Sequence, residues 1–251
     1  MKLALALAKH VFWIFALVFV EITSCLEIAQ AQLNPTVPVA SDPPPPPPGT
    51  GRSDQDRGPG GVRGPCEKTT NTPFTPLLPI NKSGFSGYTL TEHPNFWFYI
   101  PYKTSSVSSG KFSLEDQEGN TYYRASVKLP NTPGFVSVSI PTTEKPLEKN
   151  KTYNWKFTLS CASQDSEQPP QVWHMGTLKR VDMPALETQL KTANLEERTN
   201  LYIKNNIWYD ASTDLAKIYN SPQAWRNLLK AIGLEQLAQE PIVGSVVSIE
   251  K

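Results

Sequence analysis

Hydrophobic and polar residues alternate with a period of two through much of the middle of the chain. In residues 153–161 every second position is aromatic, leucine or cysteine, and all the positions between them are polar. This period predicts a strand with one face in the core and one in water, and it places Cys161 on the core side. Residues 96–100 are instead apolar at every position, which predicts a central strand buried between two layers.

Further strands are predicted on both sides of these segments. Residues 111–115 and 121–129 are joined by the polar, glycine-containing residues 116–120, and this arrangement predicts a hairpin. Alternation returns in residues 136–140, and residues 172–181 form the last predicted strand. About seven strands at this spacing are typical of an antiparallel β-sandwich.

Tyr153 refines this prediction. It lies six residues after Leu147 and begins a strand with the pattern Tyr-x-Trp-x-Phe. The spacing is similar to the tyrosine corner of immunoglobulin-like sandwiches, in which a tyrosine hydroxyl bonds back to the main chain at a strand corner. The sequence therefore favours an immunoglobulin-like antiparallel β-sandwich over residues 65–181.

After residue 181 the hydrophobic period changes from that of a strand to that of a helix. Asp182 and Pro184 start the first predicted helix. Asn194 and Glu197 have the spacing of a capping box at the start of the second. Ser221, which is followed by a proline, starts the last, and these signals together predict a helical subdomain.

A third helix is predicted from an apolar stripe, which consists of Trp208, Ala211, Leu215 and Ile218. Together with the helix before it, this stripe resembles one tetratricopeptide-like helix pair. Because a single repeat cannot close a core, the helices are expected to pack on one another and on the sandwich. The predicted fold is thus β-rich α+β, with a C-terminal helical subdomain over residues 182–243 and a tail over residues 244–251.

Residues 1–31 have the organisation of a cleavable signal peptide. Lysines precede an apolar run at residues 11–20, which is too short to span a membrane. Ala29 and Ala31 form an A-x-A cleavage pattern. Two alternatives remain: a lipoprotein signal in which Cys25 is lipidated, and an uncleaved membrane anchor.

Residues 32–64 differ in composition from the rest of the chain. They contain an unbroken proline run at residues 43–48 and almost no large apolar side chains. Such a stretch cannot bury enough surface to offset the entropy of ordering it, so we predict a disordered, proline-rich linker. Its prolines should form an extended rod of roughly 3.1 Å per residue. A spacer and a ligand for a proline-recognition domain are both consistent with it.

Cys66 and Cys161 are the two thiols that stay in the exported part after the N-terminal segment is removed or Cys25 is modified. In an oxidising compartment such a pair favours a disulfide. The alternative is one buried and one free cysteine. We therefore expect an extracytoplasmic protein of the periplasm or cell envelope, either unattached or lipid-anchored, with no membrane span after processing.

Charge and metal-ligand spacing exclude several classes of partner. The formal net charge of +1 lacks the basic excess typical of nucleic-acid-binding proteins, so no nucleic acid partner is expected. Glu115, Asp116 and Glu118 form an acidic cluster without the ligand spacing of an EF-hand. We interpret the cluster as a solvated hairpin tip and predict neither a metal site nor a cofactor.

The candidate catalytic residues are His93 and His174. Glu92 precedes His93, and a carboxylate can orient an imidazole for proton transfer, which would suit a hydrolase. Adjacent residues of a strand point to opposite faces, however, and a histidine before Pro94 can instead cap a loop. We therefore predict that the protein is not an enzyme and keep the hydrolase as an alternative.

The aromatic residues are the remaining functional signal. Exposed rings on a sandwich can stack on sugars or anchor a protein partner. The alternative is that they fill the core and its seam with the helices. The candidate binding surface consists of Trp97, Tyr99, Tyr202, Trp208, Tyr209 and Trp225.

Several long motifs occur in the order known from one family. They are HPNFWFYIPY at residues 93–102, LPNTPG at residues 129–134, the segment at residues 146–161, and IWYDA at residues 207–211. Together they resemble the mainly cyanobacterial domain-of-unknown-function family numbered nine hundred and twenty-eight, over residues 76–243. The resemblance implies an exported protein with a proline-rich stalk and no established activity.

The chain departs from the family pattern at residues 166–179. An arginine is expected after Asp165, and a Gly-Trp pair is expected where residues 174–176 stand, so this segment receives no role. We expect a non-catalytic extracytoplasmic binding or scaffold module of the cell envelope, with an envelope protein or a polysaccharide as its partner. The alternatives are a carbohydrate-binding module that uses exposed aromatics and a hydrolase that uses His93 or His174.

Overall fold

The structure of the protein, a computed structural model, describes residue 66 and residues 68–81, 84–162, 169–211 and 213–250. The predicted signal peptide, the predicted linker and Cys25 lie outside these residues. The described residues form eleven strands in two sheets, and five α-helices follow the ninth strand.

Among the described residues the smaller sheet has four strands and the larger has seven. In spatial order the smaller sheet consists of β1 (Thr75–Pro76), β4 (Asn95–Ile100), β7 (Gly134–Ser139) and β10 (Ile242–Ser245). The larger sheet consists of β11 (Val247–Glu250), β6 (Thr121–Lys128), β5 (Val107–Asp116), β8 (Thr152–Cys161), β9 (Gln171–Arg180), β3 (Gly84–Thr89) and β2 (Ile80–Asn81). The six segments that the sequence predicted as strands are confirmed as β4 to β9, and the described residues have eleven strands rather than about seven.

The two sheets are mixed rather than purely antiparallel. β3 runs parallel to β9, with Phe85 beside Gly176 and Thr89 beside Arg180, and β10 runs parallel to β7. The prediction of an antiparallel sandwich is therefore wrong for these two pairs. Each pair joins strands that are far apart in the sequence, so no hairpin fixes their relative direction.

The predicted hairpin between β5 and β6 is confirmed, and Asp116 closes its turn. One carboxylate oxygen of Asp116 accepts hydrogen bonds from the N–H groups of Glu118 and Asn120, and the other accepts one from Asn120 Nδ2 at 2.8 Å. The side-chain bond from Asn120 is the main cause that lowers the pKa of Asp116. Gly119 has φ +86°, a conformation that favours glycine.

Aromatic side chains fill the space between the two sheets. The ring of Phe98 on β4 lies 4.7 Å from that of Phe157 and 5.6 Å from that of Trp155, both on β8. The ring of Phe96 lies 4.8 Å from that of Phe112 on β5. All five are buried. Burial of one such side chain contributes about 1.5 to 3 kcal/mol, so the sandwich has a hydrophobic core of its own.

The helices follow β9 in the order α1 (Pro184–Thr192), α2 (Leu195–Lys204), α3 (Trp208–Ala211), α4 (Leu215–Tyr219) and α5 (Pro222–Ala231). The predicted capping box at the start of α2 is confirmed. Asn194 Oδ1 accepts the N–H of Glu197, and Glu197 Oε2 accepts the N–H of Asn194, both at 3.0 Å. These bonds satisfy main-chain donors that the helix leaves without partners.

The third predicted helix is wrong as a single element, because the chain forms the two short helices α3 and α4. The N–H of Thr213 donates to the carbonyl of Asp210 at 2.9 Å, which makes a turn between them. The buried carboxylate of Asp214, just before α4, accepts hydrogen bonds from Arg198 and from Tyr202 Oη of α2. The apolar stripe continues across the turn, so the hydrophobic period did not reveal the break.

The small sheet packs on the large sheet with one face and on helix α5 with the other. Tyr99 and Phe135 are paired across β4 and β7 and therefore share a face, opposite to the face on which Phe98 meets the large sheet. The ring of Phe135 lies 5.2 Å from that of Trp225 on α5. The helices therefore cover the outer face of the small sheet at α5, while α3 contacts the large sheet directly.

Helix α3 fills the seam between the helices and the sandwich with two aromatic residues. A Cβ atom on Gly87 of β3 would lie 3.1 Å from Trp208 Cδ1 and 3.3 Å from Tyr209 Cε2, so glycine permits this close approach. Tyr209 Oη accepts the indole N–H of Trp155 at 2.7 Å and donates to the carbonyl of Thr177 at 2.9 Å. One side chain therefore joins α3 to both β8 and β9.

The C-terminal residues complete both sheets. β10 pairs with β7, and β11 pairs with β6. The expectation of a tail over residues 244–251 is therefore corrected, since the fold continues as strands to residue 250, and residues 242–243 belong to β10 rather than to the helical subdomain. Both strands have four residues, the shortest length at which alternation can indicate a strand, and the sequence did not predict either of them.

Asp210 on α3 makes the stability of the seam depend on pH. Its Oδ2 accepts the N–H of Leu90 at 2.9 Å, and burial raises its pKa to about 6 from an ordinary value of 3.8. The folded protein therefore binds this proton more tightly than the unfolded chain, and the free energy of unfolding falls as pH rises from about 4 to about 6. In urea unfolding, Asp210→Asn should gain on the order of 2 kcal/mol over the wild type between pH 4 and pH 7.

Glu148→Gln is the control, because its stability relative to the wild type should change with pH in the direction opposite to that of Asp210→Asn. Hydrogen bonds from Lys151, Tyr122 and Lys145 lower the pKa of Glu148 to about 2 from 4.5. Its contribution to stability is present above about pH 4.5 and is lost as pH falls toward 2. Glu148→Gln should therefore lose stability relative to the wild type as pH rises through this window. If the stability of Asp210→Asn relative to the wild type were the same at pH 4 and pH 7, the prediction for Asp210 would be wrong.

Candidate functional site

Most of the aromatic residues that the sequence suggested as a binding surface lie inside the protein. Tyr99, Tyr202, Trp208, Tyr209 and Trp225 are each at most 5 % exposed. The suggested surface is therefore wrong for these five residues. They fill the helical layer and its seam with the sandwich because large rings bury much apolar area there.

Trp97 differs from the other five because it is half-buried on β4. In the small sheet Trp97 lies opposite Ser137. It points to the same side of the sheet as Tyr99, which is the side that the helices cover. The carbohydrate-binding alternative requires at least two exposed coplanar rings on one sheet face. The six suggested residues do not provide them.

His174 is part of the core. It is 2 % exposed and packs between the rings of Phe74 and Phe85, at 4.8 and 5.3 Å. Its Nε2 lies 2.7 Å from the carbonyl oxygen of Phe74. A side chain buried this completely cannot reach a substrate, so we assign His174 a structural role.

His93 and Glu92 have separate partners. His93 Nε2 lies 3.1 Å from the carbonyl oxygen of Glu144, across the loop that follows β7. The carboxylate of Glu92 pairs instead with Arg180 of β9, at 3.0 Å. The geometry is that of the loop-capping interpretation rather than of a carboxylate that orients an imidazole.

The predicted disulfide between Cys66 and Cys161 is present. The Cα atoms of the two residues are 5.2 Å apart, and both residues are buried. The bond attaches the chain before β1 to the end of β8. No helix in the described part of the chain is both long and apolar enough to span a membrane.

The acidic cluster does not form a metal site. Glu115 pairs with Arg124 at 3.0 Å, and Asp116 is engaged in the hairpin turn. Among the described residues no group of three or more His, Cys, Asp or Glu side chains is placed to hold a metal ion. The cluster belongs to the hairpin, but Asp116 is buried, so the expectation of a solvated tip is wrong for this residue.

The outer face of the large sheet, which points away from the small sheet, has the features of a binding site. Alternate residues of β5, β6, β8 and β9 point outward there, and the register places them side by side. One row across the strands consists of Ser126, Lys111, Thr158 and Trp173, and the next consists of Arg124, Ser113, Lys156 and Met175. We call these eight residues, together with Glu115, the basic sheet face.

Seven residues of the basic sheet face line a shallow cleft of about 450 Å³. The small side chains of Ser113, Ser126 and Thr158 form its floor between longer neighbours. Adjacent strands lie about 4.8 Å apart, so the four strands make a face about 14 Å wide. The lining residues of the cleft come from three adjacent strands, β6, β5 and β8, so a ligand lying across these strands would contact all three.

Cations predominate on the basic sheet face. Glu115 is the only carboxylate among its nine residues, and it pairs with Arg124. Lys111 and Lys156 form no ion pair with any described residue. Lys156 Nζ lies 5.3 Å from the centre of the Trp173 ring, so one ammonium group is placed over an aromatic face. The face therefore offers two ammonium groups and one aromatic ring to a ligand.

Sequence reasoning missed the basic sheet face although its components were visible. The alternation in residues 111–115 and 153–161 predicted strands with wet faces. It did not predict that β5 and β8 are neighbours, or that β9 follows β8 in the sheet. Lys111, Lys156 and Trp173 meet only because of this strand order.

A second shallow cleft, of about 440 Å³, lies between α1 and α2. Its lining includes one anionic and one cationic residue, Glu197 and Lys204, together with Leu201 and small or polar side chains. It has neither an aromatic ring nor an excess of one charge. The basic sheet face is therefore the stronger candidate for a ligand site.

The fold and this face define a class of protein: a disulfide-bonded β-sandwich with helices packed on one sheet and a basic face on the other. The model of the family described as Domain of Unknown Function (DUF928) matches residues 58–242. The chain belongs to this family, as its motifs indicated. No curated protein and no solved structure matches the chain significantly.

Proposed function

We propose that the protein is a non-catalytic binding module of the cell envelope, outside the cytoplasm, and that the basic sheet face is its binding surface. The observation that carries this proposal is the placement of Lys111 and Lys156 in one cleft without an ion-pair partner among the described residues. Exposed charges contribute little to stability, so their clustering on a rigid sheet calls for another explanation. Attraction of an anionic ligand provides it.

The location outside the cytoplasm is supported by two features. Disulfides form and persist mainly in oxidising compartments, and Cys66 and Cys161 are bonded. Residues 1–31 have the pattern of an export signal. The envelope is therefore where the ligand should be sought.

We further assign the sandwich to the immunoglobulin-like class. The buried Tyr153 supports this assignment because its Oη accepts the N–H of Glu148 at 2.8 Å, as the hydroxyl of a tyrosine corner bonds to the main chain upstream. The tetratricopeptide-like assignment of the helix pair has the support of three buried residues, Tyr202, Ala211 and Leu215. The break between α3 and α4 departs from that pattern.

Co-sedimentation with the envelope fraction of the source organism tests the proposed function. The full chain should bind at low salt, and binding should weaken as salt rises because exposed charges are screened. The double variant Lys111→Glu/Lys156→Glu should need about tenfold more envelope material for half-saturation, since each reversal removes an attraction and adds a repulsion.

The matched control is Lys191→Glu/Lys230→Glu, which makes the same change of charge on two exposed lysines of α1 and α5. It should bind nearly as the wild type does, provided that thermal unfolding shows both variants to be folded. If Lys111→Glu/Lys156→Glu bound as well as the wild type, the proposed function would be overturned. An equal loss in both double variants would also overturn it, because only net charge would then matter.

A further inference from the structure

Resting on the proposed function, we propose that the ligand of the basic sheet face is an acidic polysaccharide, a chain of sugars that carries carboxylate or sulfate groups. Its acidic groups bind the ammonium groups of Lys111 and Lys156. A sugar ring packs on Trp173 at the margin of the face. Charge complementarity and the alternation of cations with hydroxyls support this choice.

The cations are spread across several strands rather than gathered at one point. Lys111 lies opposite Thr158, so Lys156, two residues away on β8, is its diagonal neighbour at about 7 to 8 Å between the main chains. Arg124 and Lys156 lie on either side of Ser113, two strand spacings or about 10 Å apart. Positive charges at such intervals match a polymer that carries a repeated negative charge better than one small anion.

Hydroxyl groups lie beside each lysine. Lys111 has Ser126 and Thr158 as its cross-strand neighbours, and Lys156 has Ser113. A hydroxyl both donates and accepts hydrogen bonds, as sugar hydroxyls do. The floor of the cleft can therefore bond to the uncharged part of a sugar while the lysines bind its acidic groups.

Trp173 adds the contact that separates a sugar from a simple anion. Trp173 is a half-buried residue of β9 and lies opposite Thr158 of β8. Lys156 Nζ lies 5.3 Å from the centre of its ring. An indole ring offers an apolar face together with a polar N–H. A ligand that reaches the ammonium group of Lys156 therefore also reaches the ring.

Nucleic acid and bilayer ligands fit the basic sheet face less well. Proteins that bind DNA tightly neutralise roughly 6 to 10 phosphates, whereas this face has three cations, one of them paired with Glu115. Membrane-binding surfaces combine basic residues with large apolar side chains that enter the bilayer. The large exposed apolar residues of the described chain, Val247 and Ile249, instead lie on the edge strand β11.

Titration with polymers of defined charge tests the inference. Polygalacturonate and dextran sulfate should bind the full chain with a dissociation constant that rises with salt, and neutral dextran should bind at least tenfold more weakly. Lys111→Glu/Lys156→Glu should weaken binding of both acidic polymers about tenfold. Trp173→Ala should weaken polygalacturonate binding about fivefold and leave inorganic polyphosphate binding unchanged, because only the sugar packs on the ring.

Two further variants keep this test independent of folding. Trp173→Leu keeps an apolar side chain but removes the aromatic ring, and it should show the same fivefold loss. Trp97→Ala removes a half-buried tryptophan from the other sheet and should leave polygalacturonate binding unchanged.

The outcomes separate this inference from the proposed function. Envelope binding that depends on Lys111 and Lys156, without binding of either acidic polymer, would overturn the polysaccharide and leave the binding module intact. Tighter binding to vesicles of acidic phospholipid than to the polymers would overturn it in the same way. If neither envelope nor polymer binding depended on the two lysines, both proposals would be wrong.

Discussion

Replacing both residues of the disulfide, as Cys66→Ala/Cys161→Ala, should lower the free energy of unfolding by about 4 kcal/mol. The bond joins residues 95 positions apart. The loss of chain entropy in the unfolded state for a loop of that length corresponds to about 4 to 5 kcal/mol. Urea unfolding at neutral pH measures the difference, with the midpoint and slope compared between the variant and the wild type.

The position of the disulfide explains why the native state needs it. β1 has two residues and pairs with β4 at the edge of the small sheet. Phe74, just before β1, is fully buried against Phe98 and Phe157. The disulfide therefore holds in place a segment that pairs with β4 through only two residues but contributes the buried ring of Phe74 to the core.

Two further measurements check the disulfide prediction. The single variants Cys66→Ala and Cys161→Ala should each lose about as much stability as the double variant, because either one breaks the bond. Wild-type protein unfolded without reductant should take up no thiol label on these two residues. A double variant within about 1 kcal/mol of the wild type would contradict the chain-entropy argument.

Features with local causes could be predicted from the sequence. The alternation in residues 153–161 indicated β8 because side chains of a strand alternate between its faces. Asn194 and Glu197 indicated the start of α2 because the capping box involves only residues three positions apart. The pairing of Cys66 with Cys161 was predicted from the expected export of the chain and from the number of its cysteines.

Features that depend on which elements become neighbours could not be predicted. Nothing in β3 indicates that Phe85 lies beside Gly176 in a parallel pair, because the two residues are brought together by the whole course of the chain. The strands β10 and β11 are defined by their partners β7 and β6 rather than by their own four residues. Such pairings require the assembled sheets.

The candidate site also depends on which elements become neighbours, so the sequence alone could not define it. The aromatic residues allowed two interpretations, exposed rings or a filled core and helix seam, and the sequence could not decide between them. Once the helices cover the small sheet, Tyr99 and Trp225 belong to an interior and pack on Phe135. The basic sheet face, in contrast, is composed of ordinary polar positions, and its charge pattern exists only in the strand order β6, β5, β8, β9.

The seam residue Tyr209 supplies the second large effect: Tyr209→Phe should lower the free energy of unfolding by about 2 to 4 kcal/mol, although it removes a single oxygen atom. The hydroxyl accepts the N–H of Trp155 and donates to the carbonyl of Thr177, and Tyr209 is 1 % exposed. Burial raises the pKa of Tyr209 above its usual range, so the hydroxyl keeps its proton and remains a donor. Without it, the buried indole N–H loses its acceptor, which costs about 1 to 3 kcal/mol, and the bond to Thr177 is lost as well.

Tyr219→Phe makes the same chemical change at the end of α4 and serves as the control. Tyr219 is half-buried, and its ring packs on that of Trp225 at 5.4 Å, a contact that phenylalanine retains. Its stability should stay within about 0.5 kcal/mol of the wild type. Tyr209 joins α3 to β8 and β9. The larger loss of unfolding free energy in Tyr209→Phe therefore measures how strongly the helices are coupled to the sheet that carries Lys156 and Trp173. Equal losses in the two variants would show that the hydroxyl of Tyr209 contributes nothing to this coupling.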